Sequence, residues 1–297
     1  MKHEKNQNIR YLAVNAADEL WGIYTTTIGS QTILPHTDYP PKHHPAAYWF
    51  SPNRGRILHE YILLYITKGE GLFESTTCKP VRIAAGTIIL LFPGEWHNYK
   101  PVNQIGWKEY WIGLNGEMID QLIRNNFFSK KNPLFNVGFS EQIVSLFNHG
   151  IEIAKLQKAA YQQMLAGIAG MLLAFIHYSE KNNSFGDKAI ISQINKARMI
   201  MMEHTDSDID LTSIAASLNL SYSWFRRVFK QYTGFSPAQY QMEIKMQKAK
   251  ELLASTTMPI KEIAFTLNFD TVSYFVTFFK SKTGMSPVEY RNKTKGL

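Results

Sequence analysis

Cysteine is almost absent from this 297-residue chain: Cys78 stands alone, so no internal disulfide can form and the sequence suits a reducing compartment. Its plain reading is a small buried strand residue. No apolar run approaches the roughly 20 residues that a membrane-spanning helix needs. The opening MKHEKNQN carries charge without the apolar stretch of a secretory leader. The expectation is a soluble, cytoplasmic protein with no membrane partner. Neither sign of charge dominates: 32 Lys and Arg against 24 Asp and Glu leave a net charge of +8. That balance suits a polyanionic partner without identifying one. From Asp187 onward 15 basic residues stand against 10 acidic ones, so the excess leans only mildly to the C-terminal part.

Clustered chemistry is missing as well. Nine histidines are present, but His36, His43, His44, His59 and His97 lack the spacing that brings three or four metal ligands together. His43-His44, flanked by prolines, reads as a loop. No Ser stands in a nucleophile-elbow context. The sequence therefore suggests no metal, no cofactor and no catalytic residue, and it does not read as an enzyme.

What is present is a repeat. Ile214 to Tyr240 reads IAASLNLSYSWFRRVFKQYTGFSPAQY, and Ile263 to Tyr290 reads IAFTLNFDTVSYFVTFFKSKTGMSPVEY. Ile214/Ile263, Leu218/Leu267, Asn219/Asn268, Phe225/Phe275, Phe229/Phe279, Gly234/Gly284 and Tyr240/Tyr290 correspond, with one residue added in the turn of the second copy. A shared apolar framework under differing surface residues marks two copies of one supersecondary unit. In the first copy Asp210 suits the N-cap of a short helix with Leu211, Ile214, Ala215 and Leu218 on one face. Asn219-Leu220 breaks it, and Ser221 opens a second helix with Phe225, Val228 and Phe229 inward. Gly234 stops that helix and Ser236-Pro237 begins the next. Helix, short turn and helix is the arrangement that lays its second helix in a DNA major groove. A plain helical bundle is the competing reading. The adjacent Arg226 and Arg227 on the outward face favour DNA, because Arg suits guanine edges and phosphates.

The run from Ile260 to Arg291, with its ordered Ile-Ala, Asn-Phe, Tyr-Phe, Phe-Lys, Gly, Ser-Pro and Tyr-Arg, resembles the signature of the AraC family of bacterial transcription regulators. The resemblance implies a seven-helix domain with two helix-turn-helix units joined by a long helix from about Pro237 to Ser255. It implies base-facing positions at Ser223, Arg226 and Arg227 in the first unit and Val272, Ser273 and Thr277 in the second. Lys230 and Lys280 are placed for backbone phosphates, or are plain solvated lysines. Asn268 stands where the family usually has Gly, and Thr277 where an Arg is common.

Residues 1–115 read as β-structure. Tyr61 to Thr67 is a buried strand, Lys68-Gly69-Glu70-Gly71 a turn, and Leu72 to Ser75 a further strand. Val81 to Ala84, Thr87 to Phe92 and Trp107 to Leu114 continue the series, which suggests a sandwich or barrel. The run Ala84 to Tyr99 resembles the cupin-type barrel that AraC-like regulators use to bind effectors. In the family's arabinose-sensing barrel the matching positions imply effector contacts from Arg54, Tyr99 and Trp111, with Glu109 replacing a His and His97 as an added polar candidate. Tyr99 and Trp111 read equally well as barrel core, and Arg54 as a solvated loop residue.

Residues 116–181 turn helical, with Ile151, Ala154, Leu165, Ile168, Leu172, Phe175 and Ile176 on helix faces. Gly167 and Gly170 are costly there unless something packs closely on them. This segment either pairs two subunits, as in the resembling family, or packs on the barrel. Residues 182–188 form a turn-rich linker, and 189–297 the DNA-binding domain. The fold expected is α+β in two domains: a cupin-like barrel with following helices, then an all-α double helix-turn-helix. The function expected is a homodimeric transcription regulator of double-stranded DNA, controlled by a small molecule of carbohydrate class. It would touch RNA polymerase if it is an activator. A cupin enzyme with a DNA-binding tail and a constitutive regulator whose barrel only dimerises are the alternatives.

Overall fold

The computed structural model describes residues 7–40, 54–184, 188–205 and 209–295. The chain divides into two compact units, Met1–Ser184 and Phe185–Leu297.

The first unit runs β1 (Gln7–Tyr11), α1 (Ala16–Leu20), β2 (Tyr24–Ile33), β3 (Arg56–Ile57), β4 (Tyr61–Ser75), β5 (Val81–Ala84), β6 (Thr87–Leu91), β7 (Trp96–Pro101) and β8 (Trp107–Asn115). It continues with α2 (Glu117–Arg124), β9 (Leu134–Asn136), α3 (Glu141–Leu156) and α4 (Tyr161–Ser184). All pairing is antiparallel, in the order β1-β2-β8-β4-β6-β9, with β5 and β7 on the far part of β4 and β3 on β7. The apolar run Tyr61–Ile66 is continuous because both faces of β4 are covered. Tyr61, Leu63 and Tyr65 join a core shared with α3 and α4, while Ile62, Leu64 and Ile66 enter a second core inside the barrel. The same alternation on β8 sends Tyr110, Ile112 and Leu114 to the helices and Trp107 and Trp111 to the interior.

Where a turn was expected at Lys68–Gly71, the strand bends and continues. Its register shifts between Ile66 and Lys68, and Gly69 takes φ 86° with the Gly106 carbonyl oxygen only 2.0 Å from where a Cβ would lie. A residue with a side chain does not fit that approach. Cys78, expected within a strand, is half-buried in the turn after β4, where its N–H donates to Ser75 Oγ at 3.2 Å. The segment expected to be wholly helical contains β9, and α4 continues through Asn182–Ser184, which had read as linker. Phe185–Asp187 of that linker, and His43 and His44, lie outside the described residues.

The second unit contains seven described helices: α5 (Lys188–Glu203), α6 (Leu211–Ser217), α7 (Tyr222–Thr233), α8 (Pro237–Ser255), α9 (Ile260–Thr266), α10 (Val272–Thr283) and α11 (Pro287–Lys295). The duplication is visible in the packing. One core gathers Ile214, Leu218, Phe225 and Phe229 with α5; the other gathers Ile263, Leu267, Phe275 and Phe279 with the later part of α8. Tyr240 and Ile244 of α8 belong to the first core and Met246, Ala249 and Leu253 to the second, so this helix joins the two copies. Asn219 and Asn268 both adopt the left-handed conformation, φ 57° and 54°, at the turn, the position that Asn tolerates better than any other residue except Gly. Gly234 and Gly284 close α7 and α10 in the same way, φ 82° and 76°. The added residue is Asp270, which precedes the Thr271 cap of α10.

Candidate functional site

Two regions collect the residues singled out above, one in each unit. On α7 the spacing i, i+3, i+4, i+7 places Ser223, Arg226, Arg227 and Lys230 on one exposed face, opposite buried Phe225, Val228 and Phe229. Among the described residues, neither Arg226, Arg227 nor Lys230 forms a side-chain hydrogen bond or ion pair with the chain. On α10, Ser273, Thr277 and Lys280 are likewise exposed, whereas Val272 is half-buried against the second core. The expected contacts thus form a cationic face on α7 and a more neutral one on α10. At α9, Lys245 of α8 donates from Nζ to the Asn268 carbonyl at 2.9 Å and holds the turn that orients α10.

The second region is a void inside the barrel. Alternation along β2 turns Thr27 and Gln31 inward, and β8 contributes Glu109 and Trp111. Tyr11, Tyr39, Arg56 and Tyr99 close the remaining wall around a space of about 20 Å³, room for about one water. Gly29 lets Trp111 lie against β2, since a Cβ there would sit 2.6 Å from Trp111 Cζ2. The indole Nε1 donates to Thr27 Oγ1 at 3.3 Å. Gln31 donates from Nε2 to Oε1 of Glu109, while Oε2 has no hydrogen-bond partner among the described residues. Burial pushes the Glu109 carboxyl up to about 7, against the Gln31 hydrogen bond and the pull of Arg56. The Arg56 guanidinium donates from Nη2 to the Tyr99 hydroxyl and from Nε to His97 Nε2 at 3.4 Å. The Nδ1 of His97 lies 3.1 Å from the Glu95 carbonyl oxygen. An imidazole that donates from Nδ1 and accepts at Nε2 is neutral, and burial and the Arg56 charge lower its pKa to about 4. Among the described residues no group of three or more His, Cys, Asp and Glu is placed to hold a metal ion.

The sequence matches the AraC-like ligand binding domain over residues 39–180 and the Helix-turn-helix domain over residues 214–293. The chain belongs to the AraC family. It is 26% identical over 254 residues to the Msm operon regulatory protein of Streptococcus mutans, covering 83% of this chain and 88% of that protein. It is 26% identical over 245 residues to the Arabinose operon regulatory protein of Escherichia coli, 78% and 80% of the two chains. It is 23% identical over 238 residues to the Raffinose operon transcriptional regulatory protein of Pediococcus pentosaceus, 79% and 86%. As an AraC-family chain it is a DNA-binding transcription regulator carrying an N-terminal domain for a small-molecule ligand.

Placed on this AraC-family fold, Tyr99, Glu109 and Trp111 line the void together. His97 stands behind Arg56 rather than on the wall. Arg54 is exposed, and among the described residues only its carbonyl is engaged, by Trp96 Nε1 at 2.8 Å. The guanidinium in the void is that of Arg56: Arg56 pairs with His97 in the β3–β7 register, and alternation turns that position inward. Thr27, Gln31, Tyr39 and Tyr11 were not anticipated. The first two sit in YTTTIGSQTI, whose polar inward positions hide the strand alternation that would have found them.

Proposed function

We propose that the effector is a carbohydrate bound at the barrel void, and that it controls how a cytoplasmic homodimer engages two DNA segments. The observation that carries this reading is the void itself. A flat indole, a guanidinium and a carboxyl with one unpartnered oxygen converge there, a set that covers a sugar's apolar face and meets its hydroxyls from both sides. Relatives named for arabinose and raffinose operons support the class. No helix among the described residues is long and apolar enough to cross a membrane, which agrees with a cytoplasmic place. Regulation, not catalysis, is the role assigned to the barrel.

Pairing is assigned to α4. Met164, Gly167, Met171, Ala174 and Tyr178 follow the 3-4-3-4 spacing of a coiled-coil seam, and all five are exposed. Among the described residues nothing comes within 4 Å of where a Gly167 Cβ would lie, and only Met118 Cε, at 3.7 Å, approaches that of Gly170. Open glycines on an apolar stripe leave room for a second helix to approach closely. In a dimer the α7 faces, led by Arg226 and Arg227, read bases while Lys230 and Lys280 hold phosphates. RNA polymerase is a further partner if the protein activates.

The small void also favours a second reading, in which the barrel only pairs subunits. Titration of DNA from beside the protein's own gene, with and without saturating mono- and oligosaccharides, separates the two. A sugar that shifts both the melting temperature and the DNA affinity supports control by ligand. Identical DNA binding under every sugar leaves the pairing role alone.

A further inference from the structure

Two cavities in the N-terminal unit share one wall. The inner void beside Glu109 and Arg56 is about 20 Å³. An outer hollow of about 260 Å³ is bordered by Ile33, Asp38, Lys100 and Gly106. Among the described residues, Tyr39 alone lines both. It belongs to no strand, so no ladder of backbone hydrogen bonds fixes it. Its ring meets Trp107 edge-on at 5.8 Å and Tyr99 at a tilt at 6.4 Å. Its hydroxyl hydrogen-bonds that of Tyr99, which also accepts from Arg56, and it feels the charge of Glu109. The phenol therefore presents a flat apolar body and one hydroxyl to an arginine, a tyrosine hydroxyl and a carboxyl.

We propose that Tyr39 is a placeholder for the effector: its phenol fills, in the free protein, the position that a polyhydroxylated ring takes when bound, and its outward swing joins the two cavities into one site. The inference rests on the carbohydrate reading above and specifies its ligand. The ring is neutral and carries at least two hydroxyls, one accepting from Arg56 and one donating to the unpartnered Oε2 of Glu109, with its apolar face toward Trp111. Tyr99 exchanges one hydroxyl partner for another and keeps its bond from Arg56, so little hydrogen bonding is lost when Tyr39 leaves. Apparent affinity in the wild type is lowered by the fraction of molecules in which Tyr39 is out.

The test uses the full chain as wild type, Tyr39→Ala and Tyr39→Phe, with circular dichroism to confirm that each folds. Titration calorimetry against aldopentoses, aldohexoses and their oligosaccharides, including L-arabinose, lactose and raffinose, is expected to find a sugar that binds Tyr39→Ala about tenfold or more tighter than wild type. Tyr39→Phe, which keeps the ring, should stay close to wild type. Without any sugar, acrylamide should quench tryptophan fluorescence more steeply in Tyr39→Ala. A sugar that binds wild type at least as tightly as Tyr39→Ala overturns the placeholder and leaves the carbohydrate reading standing. Unchanged quenching overturns it too. If no sugar binds either protein, the carbohydrate reading falls and takes this inference with it.

Discussion

Gln31 and Glu109 face each other across the β2–β8 ladder, and the Gln31 amide donates to one oxygen of a carboxyl whose other oxygen has no hydrogen-bond partner among the described residues. Both side chains are almost fully enclosed, Gln31 at 5% exposure and Glu109 at 2%. A half-satisfied buried carboxyl is costly unless it holds a proton or meets a donor. That relationship makes the pair a natural floor for a ligand rich in hydroxyls.

Glu109 also sets a pH dependence. Its folded-state pKa of about 7 lies above the ordinary 4.5, so between these values the folded chain holds a proton that the unfolded chain has released. Glu109 therefore lowers stability as pH rises through that window. His97 acts in the opposite sense: with its pKa lowered from 6.5 to about 4, it lowers stability as pH falls below 6.5. Glu109→Gln removes the first effect only. Relative to wild type it should gain on the order of 2–3 kcal/mol between about pH 5 and about pH 8. Urea denaturation across that range measures the difference, and a flat difference would mean that Glu109 titrates normally.

Gly29→Ala tests the seat of Trp111. The added methyl would lie 2.6 Å from Trp111 Cζ2 and 2.5 Å from the Asn8 carbonyl oxygen, so ring or strand must move. A loss of about 1–3 kcal/mol is expected, with a changed near-ultraviolet circular dichroism spectrum from the displaced indole. A full-stability variant with an unchanged spectrum contradicts the packing described.

Arg227 and Lys230 share the exposed face of α7 but are assigned different tasks. Arg227→Ala should weaken specific DNA binding by about 1–3 kcal/mol and relax the preference among operator variants. Lys230→Ala should weaken binding to all sequences alike and reduce the salt slope by about one. Fluorescence anisotropy over a salt series reads both, and an unchanged preference after Arg227→Ala excludes base reading by that residue.

Met171 lies at the centre of the exposed α4 stripe at 52% exposure. Met171→Glu places a charge where pairing would bury it, with an expected loss of about 1–3 kcal/mol in dimer stability. The folded monomer should be little affected. Sedimentation equilibrium gives the dissociation constant, and an unaltered value would put the interface elsewhere.

The duplicated C-terminal unit was legible before any coordinates because its information is local. Asp210 caps α6, Ser236-Pro237 opens α8, Gly234 and Gly284 end their helices, and Asn219 and Asn268 turn the chain. Each acts through its own backbone conformation or its nearest turn of helix. The outward position of Arg226 and Arg227 follows from the same 3.6-residue period. The apolar strands β4, β6 and β8 were readable too, since burial on two faces leaves a continuous run.

The ligand site was legible only in part, because it depends on strands distant in sequence. The family resemblance implied Tyr99, Glu109 and Trp111, which line the void, but it implied Arg54 where the structure places Arg56, and a shift of two residues along the chain separates a solvated side chain from one in the void. Strand register decides such choices, and here it is set by the β3–β7 pairing, which has no local signature, and by bends such as Gly69, whose local signature is that of a turn. The repeat, with the AraC-like signature in its second copy, was enough to point to a DNA-binding regulator. Which arginine lines the void, and that Tyr39 stands between two cavities, emerged only when β2, β3, β7 and β8 were brought together, since a cavity is a property of surfaces that no single segment owns.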